Sequence, residues 1–188
     1  DLACLTHNGF VEAGISFDRI YSSPLKRAVE TAVLMTEKSE SEIIKDDRLI
    51  EFSFGKAEGK TPDERNEDPE LKDFHFFFDE PEKYVALEGA EPFESVLKRT
   101  AAFWEDEIKP LEKTEIQNIL VVTHGGTMQS LLLHIDGRSL KDYWKTKMSN
   151  CTINKIVLEN GCFRLEYTGK VFYSEDKSKK SADGFFSK

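Results

Sequence analysis

Apolar and polar residues follow patterns along the chain that predict strands and helices in turn. Ile119 to Val122 are four apolar residues, three of them β-branched, and they predict a strand buried on both faces. A helical run from Met128 to Ile135 follows after a histidine, two glycines and a threonine. Ile15 to Tyr21 alternates and predicts a second strand. Pro92 to Ile108 carries an apolar stripe at helical spacing, which predicts an amphipathic helix.

Weaker signals complete a prediction of an α/β fold. They are a helix from Ser23-Pro24 to about Lys38, a strand at Glu42 to Lys45, and an antiparallel edge hairpin of Thr152 to Glu159 and Cys162 to Tyr167 joined at Asn160-Gly161. Leu2 to Leu5 is compatible with another short strand. Only Thr6 to Gly14 would then precede the next strand, whereas a parallel crossover with a helix needs at least about 10–12 residues.

Composition narrows the class of protein. The 188 residues are 39% hydrophobic, which suits one globular domain, and no apolar run approaches the roughly 20 residues of a membrane span. With no secretory signal at the start, we expect a soluble, cytoplasmic protein. A formal charge of −9 argues against nucleic acid and anionic membranes as partners. The three cysteines suggest neither disulfides nor a zinc site, and we expect no metal or cofactor.

His124 is the first candidate functional residue. The predicted strand delivers it to the start of a helix, where free N–H groups and the helix dipole favour an anion such as phosphate. Gly125 and Gly126 would let a ligand approach the backbone. The alternative is a sharp turn in which His124 only caps the helix.

Arg27 and Glu51 are the next candidates. Arg27 lies in the first turn after a strand, at the sheet edge where α/β proteins bind ligands, although it could be an ordinary solvated cation. Glu51 lies between Ile50 and Phe52 in a glycine-punctuated loop. Its carboxylate either faces solvent or carries a proton in a partly desolvated pocket. Arginine, histidine and helix-end N–H groups suit a phosphoryl group, and a carboxylic acid could protonate the leaving alkoxide.

Residues 61–91 combine charges, prolines and aromatic side chains. The aromatic residues need burial, so we expect this segment, from about residue 60 to 91, to cap a pocket. Within it, His75 is more typical of a packing or surface histidine than of a ligand. From Ser174 onward the chain is rich in Ser, Lys and Asp, and we expect a flexible tail over residues 174–188, with Phe185 and Phe186 as its possible anchors.

Four segments in order along the chain resemble the histidine phosphatase superfamily, in its phosphoglycerate mutase-like branch. They are Tyr21-Ser-Ser-Pro-Leu-Lys-Arg-Ala-Val-Glu-Thr-Ala32; Leu49-Ile-Glu51 with Phe54-Gly55 and Glu58-Gly59; Gly89-Ala-Glu91 ahead of Arg99; and Val121-Val-Thr-His-Gly-Gly126. The resemblance covers most of residues 15–169. It implies a three-layer α/β sandwich with a mostly parallel central sheet flanked by helices, forming one domain over residues 1–173.

The resemblance also implies a metal-independent reaction through a phosphohistidine. Arg27 and His124 would grip the phosphate, and Glu51 would protonate the leaving group and then activate water. Ser23, Gly125 and Glu91 are the remaining candidates for substrate binding. The family usually has Gly-Glu-Ser where this chain has Gly89-Ala-Glu91, so either Glu91 or the nearby Glu94-Ser95 is expected to take that place.

The family's Arg-His-Gly signature, whose histidine is the nucleophile, does not occur in this sequence. Asp1 to Gly9 instead resembles a later family segment, Asp-x-x-x-Leu-Thr-x-x-Gly, which follows the first strand and precedes a helix. We therefore expect the nucleophile in a segment outside these 188 residues, and an internal piece to be missing between Gly9 and Ile15. A rival alignment makes Leu2 to Leu5 the first strand and His7 the nucleophile. It is disfavoured because threonine cannot replace the phosphate-binding arginine.

Three functions remain open at this point. The favoured one is a phosphatase of small phosphate monoesters, and the aromatic cap suggests a substrate with apolar or ring character. A phosphoglycerate mutase would return the phosphoryl group to another hydroxyl. A catalytically inactive homologue would only bind a phosphorylated ligand or a protein partner. The sequence does not indicate an oligomeric state.

Overall fold

The computed structural model describes residues 2–173, which are built around a parallel sheet of three short strands. They are β1 (Arg19–Ser22), β2 (Ile43–Lys45) and β3 (Ile119–Val122), in the order β2-β1-β3. The register places Ser22 opposite both Lys45 and Val122. All three strands therefore end at the same edge, and the loops that follow them are neighbours.

Helices cover both faces of this sheet, as the sequence predicts. Helices α1 (Leu2–Glu12) and α2 (Lys26–Thr36) pack on one face, over a core that includes Ile20 and Leu120. The other face contributes Tyr21 to a second core with Phe103 and Leu131, which belong to α5 (Phe93–Phe103) and α6 (Gly125–Asp136). The three-layer α/β class is confirmed.

The predicted hairpin is present as β4 (Ile153–Glu159) and β5 (Cys162–Lys170), which pair antiparallel. Its turn residues Asn160 and Gly161 have φ values of 54° and 73°, as a type I′ turn requires. Within the described residues the hairpin forms a separate two-stranded sheet, without backbone pairing to β3. It is held by side chains, among them Phe163, whose ring lies 5.0 Å from that of Trp104.

The predicted strand at Leu2 to Leu5 is wrong, because these residues belong to helix α1. The buried side chains Ala3, Thr6 and Phe10 recur every three to four residues and form the face that packs on the core. Four residues are too few to distinguish this period from that of a strand. The difficulty of a short crossover disappears, since no strand precedes β1 in the described part of the chain.

Several boundaries also differ from the prediction. Helix α2 begins at Lys26 and not at Ser23-Pro24, because Leu25 keeps an extended backbone with ψ of 133°. The predicted helix to Ile108 is α-helical only to Phe103 and continues as a π-helical turn, Trp104–Ile108. Helix α6 begins three residues earlier than predicted, at Gly125, directly after His124.

The predicted cap contains two short helices, α3 (Pro62–Glu67) and α4 (Phe76–Asp79), joined by 3-10 turns. Its buried rings Phe74 and Phe77 pack with Phe52 and Phe93 in a third core. The predicted tail and its two phenylalanines lie outside the described residues. None of the helices in residues 2–173 is long and apolar enough to span a membrane.

Candidate functional site

The candidate residues Ser23, Arg27 and His124 meet at the edge where the strands end. His124 follows β3 and is the N-cap residue of α6, while Arg27 lies in the first turn of α2. The Arg27 Nε–H donates to His124 Nδ1 over 3.2 Å, and His124 Nε2 lies 2.8 Å from Ser23 Oγ. The structure thus brings together Arg27 and His124, two of the three side chains (with Glu51) that the sequence analysis assigns to one phosphoryl-transfer site.

Arg27 fixes the tautomer of His124. An arginine N–H can only donate, so Nδ1 must present its lone pair, and the ring proton resides on Nε2 and is donated to Ser23. Burial, together with the positive charges of Arg27 and Arg99, lowers the pKa of His124 to about 4. His124 is therefore neutral at physiological pH. The exposed Arg27 keeps its terminal Nη groups without a partner in the described residues, free to bind an anion.

Glu51 occupies the N-terminus of α6. Its carboxylate accepts hydrogen bonds from the N–H groups of Gly126 and Thr127, at 3.1 and 3.0 Å, and from the Thr127 hydroxyl at 3.2 Å. A fourth bond comes from the Phe52 N–H. Two of the N–H groups that the sequence suggests for phosphate are thus taken by Glu51. The Gly125 N–H has no partner among the described residues and stays available.

Glu91 does not join this cluster directly. Its two carboxylate oxygens accept a bidentate pair of bonds from Arg99, both 2.9 Å long, and Oε1 also accepts from the Ser95 hydroxyl. Arg99 in turn donates to the Arg48 carbonyl. Glu91 acts on the site through Arg99, whose charge contributes to the low pKa of His124.

A cavity of about 660 Å³ opens beside the turn, within the range of roughly 300–1,000 Å³ that is typical of ligand pockets. Glu51, Gly125 and Gly126 line one end, whereas Arg27, Ser23 and His124 are not part of its lining. The rest of the lining comes from the cap and from the loop after α6, with the aromatic rings Phe54, Phe74, Phe78 and Trp144.

A model of the histidine phosphatase superfamily (branch 1) matches residues 9–170. The chain belongs to this superfamily. Phosphoserine phosphatase 1 of Hydrogenobacter thermophilus is 35% identical over 76% of this chain, which spans 65% of that protein. The 2,3-bisphosphoglycerate-dependent phosphoglycerate mutase of Enterococcus faecalis is 31% identical, covering 70% of this chain and 68% of its own length. Among solved structures, YhfR of Bacillus stearothermophilus superposes with a TM-score of 0.77 at 26% identity, covering 90% of this chain and 82% of its own.

In residues 2–173, His124 is the one histidine at the candidate site. His7 lies on α1, where its Nδ1 is 3.1 Å from the Met35 carbonyl. Met35 and Arg27 are eight residues apart on α2, or about 12 Å at 1.5 Å per residue, so His7 lies far from the contact between Arg27 and His124. This contradicts the rival alignment with a strand at Leu2 to Leu5. His75 is exposed beside the Lys72 carbonyl, which fits its interpretation as a surface histidine.

Several residues of the site were not anticipated from the sequence. The Tyr143 hydroxyl donates to the Gly126 carbonyl over 2.8 Å and contacts the Ser130 hydroxyl, which anchors the first turn of α6. Burial raises the pKa of Tyr143. The sequence feature that could have indicated Tyr143 is the pair of adjacent aromatic residues, Tyr143 and Trp144, in an otherwise polar loop. Among residues 2–173, no group of three or more His, Cys, Asp or Glu side chains is placed to hold a metal ion.

Proposed function

We propose that this protein hydrolyses small phosphate monoesters, with the phosphate bound by Arg27 and the first N–H of α6, next to His124, which holds Arg27 in place. The observation that carries the proposal is the direct contact of Arg27 with a neutral His124 at the start of that helix. The free Nη groups of Arg27 can bind two phosphate oxygens, and the Gly125 N–H can bind a third. These donors stabilise the negative charge of the transferring phosphoryl group.

Glu51 is the proposed proton donor to the leaving alkoxide and afterwards the base that activates water. Its carboxylate is ringed by donors at the end of the cavity, beside the Gly125 N–H. This position puts the carboxyl group next to the proposed phosphate site, within reach of the ester oxygen that must be protonated as it leaves.

The nucleophile of the proposed reaction is a histidine in a segment outside these 188 residues. Among the described residues, His124 is the one histidine at the site, and its ring nitrogens are engaged by Arg27 and Ser23. The neutral imidazole attacks phosphorus in line as the alkoxide leaves with the proton from Glu51, and water then cleaves the labile phosphohistidine to release phosphate. The charge of the transferring group is met by Arg27 and the helix N–H, so the proposed reaction needs no metal.

The substrate class is proposed from the cavity and the relatives. A volume of about 660 Å³ accommodates a small phosphorylated metabolite. The relatives are named for phosphoserine and for phosphoglycerates, both small phosphate esters. A mutase remains the second candidate, because the Enterococcus faecalis protein carries that name at similar identity.

Single-turnover labelling of the full-length protein tests the proposal. With ³²P-labelled phosphoserine, we expect a transient acid-labile phosphohistidine followed by release of phosphate. Transfer of the label to an added acceptor would instead establish a mutase. Absence of label, with phosphate binding intact, would leave a ligand-binding homologue and overturn the proposal. Label on His7 would overturn the assignment of the nucleophile.

The 188-residue chain tests the phosphate pocket separately. Inorganic phosphate, titrated by NMR, should shift the backbone amide of Gly125, and Arg27→Met should weaken its binding at least tenfold. Lys98→Met is the matched control, since Lys98 is an exposed cation on α5 with no ion pair in the described residues. Equal affinity of the two variants would remove Arg27 from the site.

A further inference from the structure

The cavity beside the phosphate-binding turn carries cations that the proposed function does not use. Lys60 and Arg65 line it from the cap, and Lys147 lines it from the loop after α6. The Lys60 ammonium forms a salt bridge with Asp68 and is neutralised. Arg65 and Lys147 have no carboxylate partner within residues 2–173, so both positive charges are uncompensated.

The carboxylates of the lining do not offset these charges by pairing. Glu51 is bound to the N-terminus of α6, and Glu58 accepts a hydrogen bond from the Phe54 N–H. Neither forms a salt bridge with a lining cation in the described part of the chain. In a protein of formal charge −9, one cation from the cap and one from the loop after α6 therefore line a ligand-sized space.

Both cations are held on fixed backbone. Arg65 belongs to α3, which begins with a capping box at Thr61, and its guanidinium lies over the buried ring of Phe74 at 5.2 Å. Lys147 follows Thr146, whose carbonyl accepts a 2.6 Å bond from the buried Gln129 amide. The Thr146 hydroxyl accepts a second bond, from Arg138. The packed Arg65 guanidinium loses less conformational entropy when it binds an anion than a mobile surface side chain would, whereas for Lys147 only the preceding residue is anchored.

We infer that Arg65 and Lys147 bind a second anionic group, carried by the leaving group of the phosphate ester. The inference rests on the proposed function, which places the phosphate between Arg27 and the N–H of Gly125, and Gly125 lines this same cavity. An anion between these cations gains charge-assisted hydrogen bonds in a partly apolar space, where electrostatic attraction is stronger than in water. A carboxylate and a second phosphate can both accept such charge-assisted hydrogen bonds. An uncharged alkyl leaving group cannot accept them.

Three phosphate esters that differ in the second anionic group test this inference. Phosphoglycolate carries a carboxylate where ethyl phosphate carries a methyl group, and ethane-1,2-diyl bisphosphate carries a second phosphate. Competition with the hydrolysis of phosphoserine by the full-length protein should show phosphoglycolate or the bisphosphate binding about tenfold more tightly than ethyl phosphate. If phosphoglycolate binds more tightly than the bisphosphate, the second anion is a carboxylate; if the bisphosphate binds more tightly, it is a phosphate. Equal affinity of all three ligands would overturn the inference.

The double variant R65M K147M should lose this preference while its affinity for ethyl phosphate changes less than twofold. Lys98→Met, which removes an exposed cation on α5, should keep the preference. A preference that survives in the double variant would overturn the inference and leave the proposed function intact. Failure of ethyl phosphate, phosphoglycolate and inorganic phosphate to bind at all would overturn both.

A second measurement does not depend on the variants folding. In the unsubstituted protein, NMR shifts at the amides of Arg65 and Lys147 should be larger with phosphoglycolate than with ethyl phosphate. The shifts at Gly125 should be similar for the two ligands. Identical shifts at Arg65 and Lys147 with the two ligands would contradict a second anion site at these residues.

Discussion

Gly126 is the position where the site tolerates a side chain least. A Cβ atom built on Gly126 would lie 2.8 Å from Glu51 Oε1 and 2.8 Å from Phe52 Cδ2. Glu51 is held by the N–H groups of α6, and the buried Phe52 ring is packed against Phe77 and Phe93. Neither neighbour can move without breaking these contacts. We therefore expect Gly126→Ala to destabilise the fold and displace Glu51.

The expected change in the free energy of unfolding combines two destabilising contributions with one stabilising contribution. Overpacking a core costs about 1–3 kcal/mol, and weakening the Glu51 bonds to α6 adds about 1 kcal/mol. Replacing a helical glycine by alanine returns up to about 1 kcal/mol. The expected net loss is about 2 kcal/mol of unfolding free energy, which corresponds to a Tm lower by about 4–8 °C for a domain of this size.

Gly125 supplies the matched control. A Cβ on Gly125 meets no atom within 4 Å, and its φ is not in the left-handed region. Gly125→Ala should therefore stay within about 0.5 kcal/mol of the unsubstituted protein in urea unfolding followed by circular dichroism. Equal stability of the two variants would refute the reasoning, because it would mean that Glu51 and Phe52 yield at negligible cost.

The other predictions concern the phosphate-binding turn. Arg27→Ala and His124→Ala should each lower the turnover of the full-length protein at least about 100-fold, measured by phosphate release, while His7→Ala should change it less than twofold. Because folded His124 has a pKa of about 4 against 6.5 unfolded, the unfolded state takes up its proton first on acidification. The contribution of His124 to the free energy of unfolding is therefore fully present above pH 6.5 and falls by on the order of 3 kcal/mol towards pH 4. Urea unfolding at both pH values should show a smaller fall for His124→Gln. Tyr143→Phe should cost about 1–2 kcal/mol in the same assay, because the Gly126 carbonyl and Ser130 lose their partner, and an unchanged midpoint would contradict the anchoring role.

The sequence predicts those parts of the site that depend on short-range signals. The buried strand before His124, the helix that follows it and the place of Arg27 in a first turn are each encoded within about ten residues. The Asn160-Gly161 turn is equally local, because its two positive φ values restrict the residue types. Since parallel strands end at one edge, these local features are enough to bring Arg27 and His124 together.

Features that depend on distant contacts could not be predicted. Glu51 and Gly126 are 75 residues apart, and no local pattern indicates that one caps the helix of the other. The pairing of Glu91 with Arg99 is closer in sequence, yet charge spacing alone does not distinguish an ion pair from a ligand contact. The helix at Leu2–Glu12 was missed because its apolar face becomes visible only when Thr6 and Phe10 are included.

In the proposed reaction the N-terminus of α6 serves two anions, the Glu51 carboxylate and the phosphate of the substrate. In the resting protein the Glu51 carboxylate takes the N–H groups of Gly126 and Thr127, which leaves the Gly125 N–H and the Nη groups of Arg27 for phosphate. In the proposed reaction the phosphate would therefore bind next to Glu51, which puts the proposed proton donor beside the ester oxygen that leaves. Arg27 and the Gly125 N–H would supply the donors to the phosphate, because the other N–H groups of this helix end are already bound to the carboxylate.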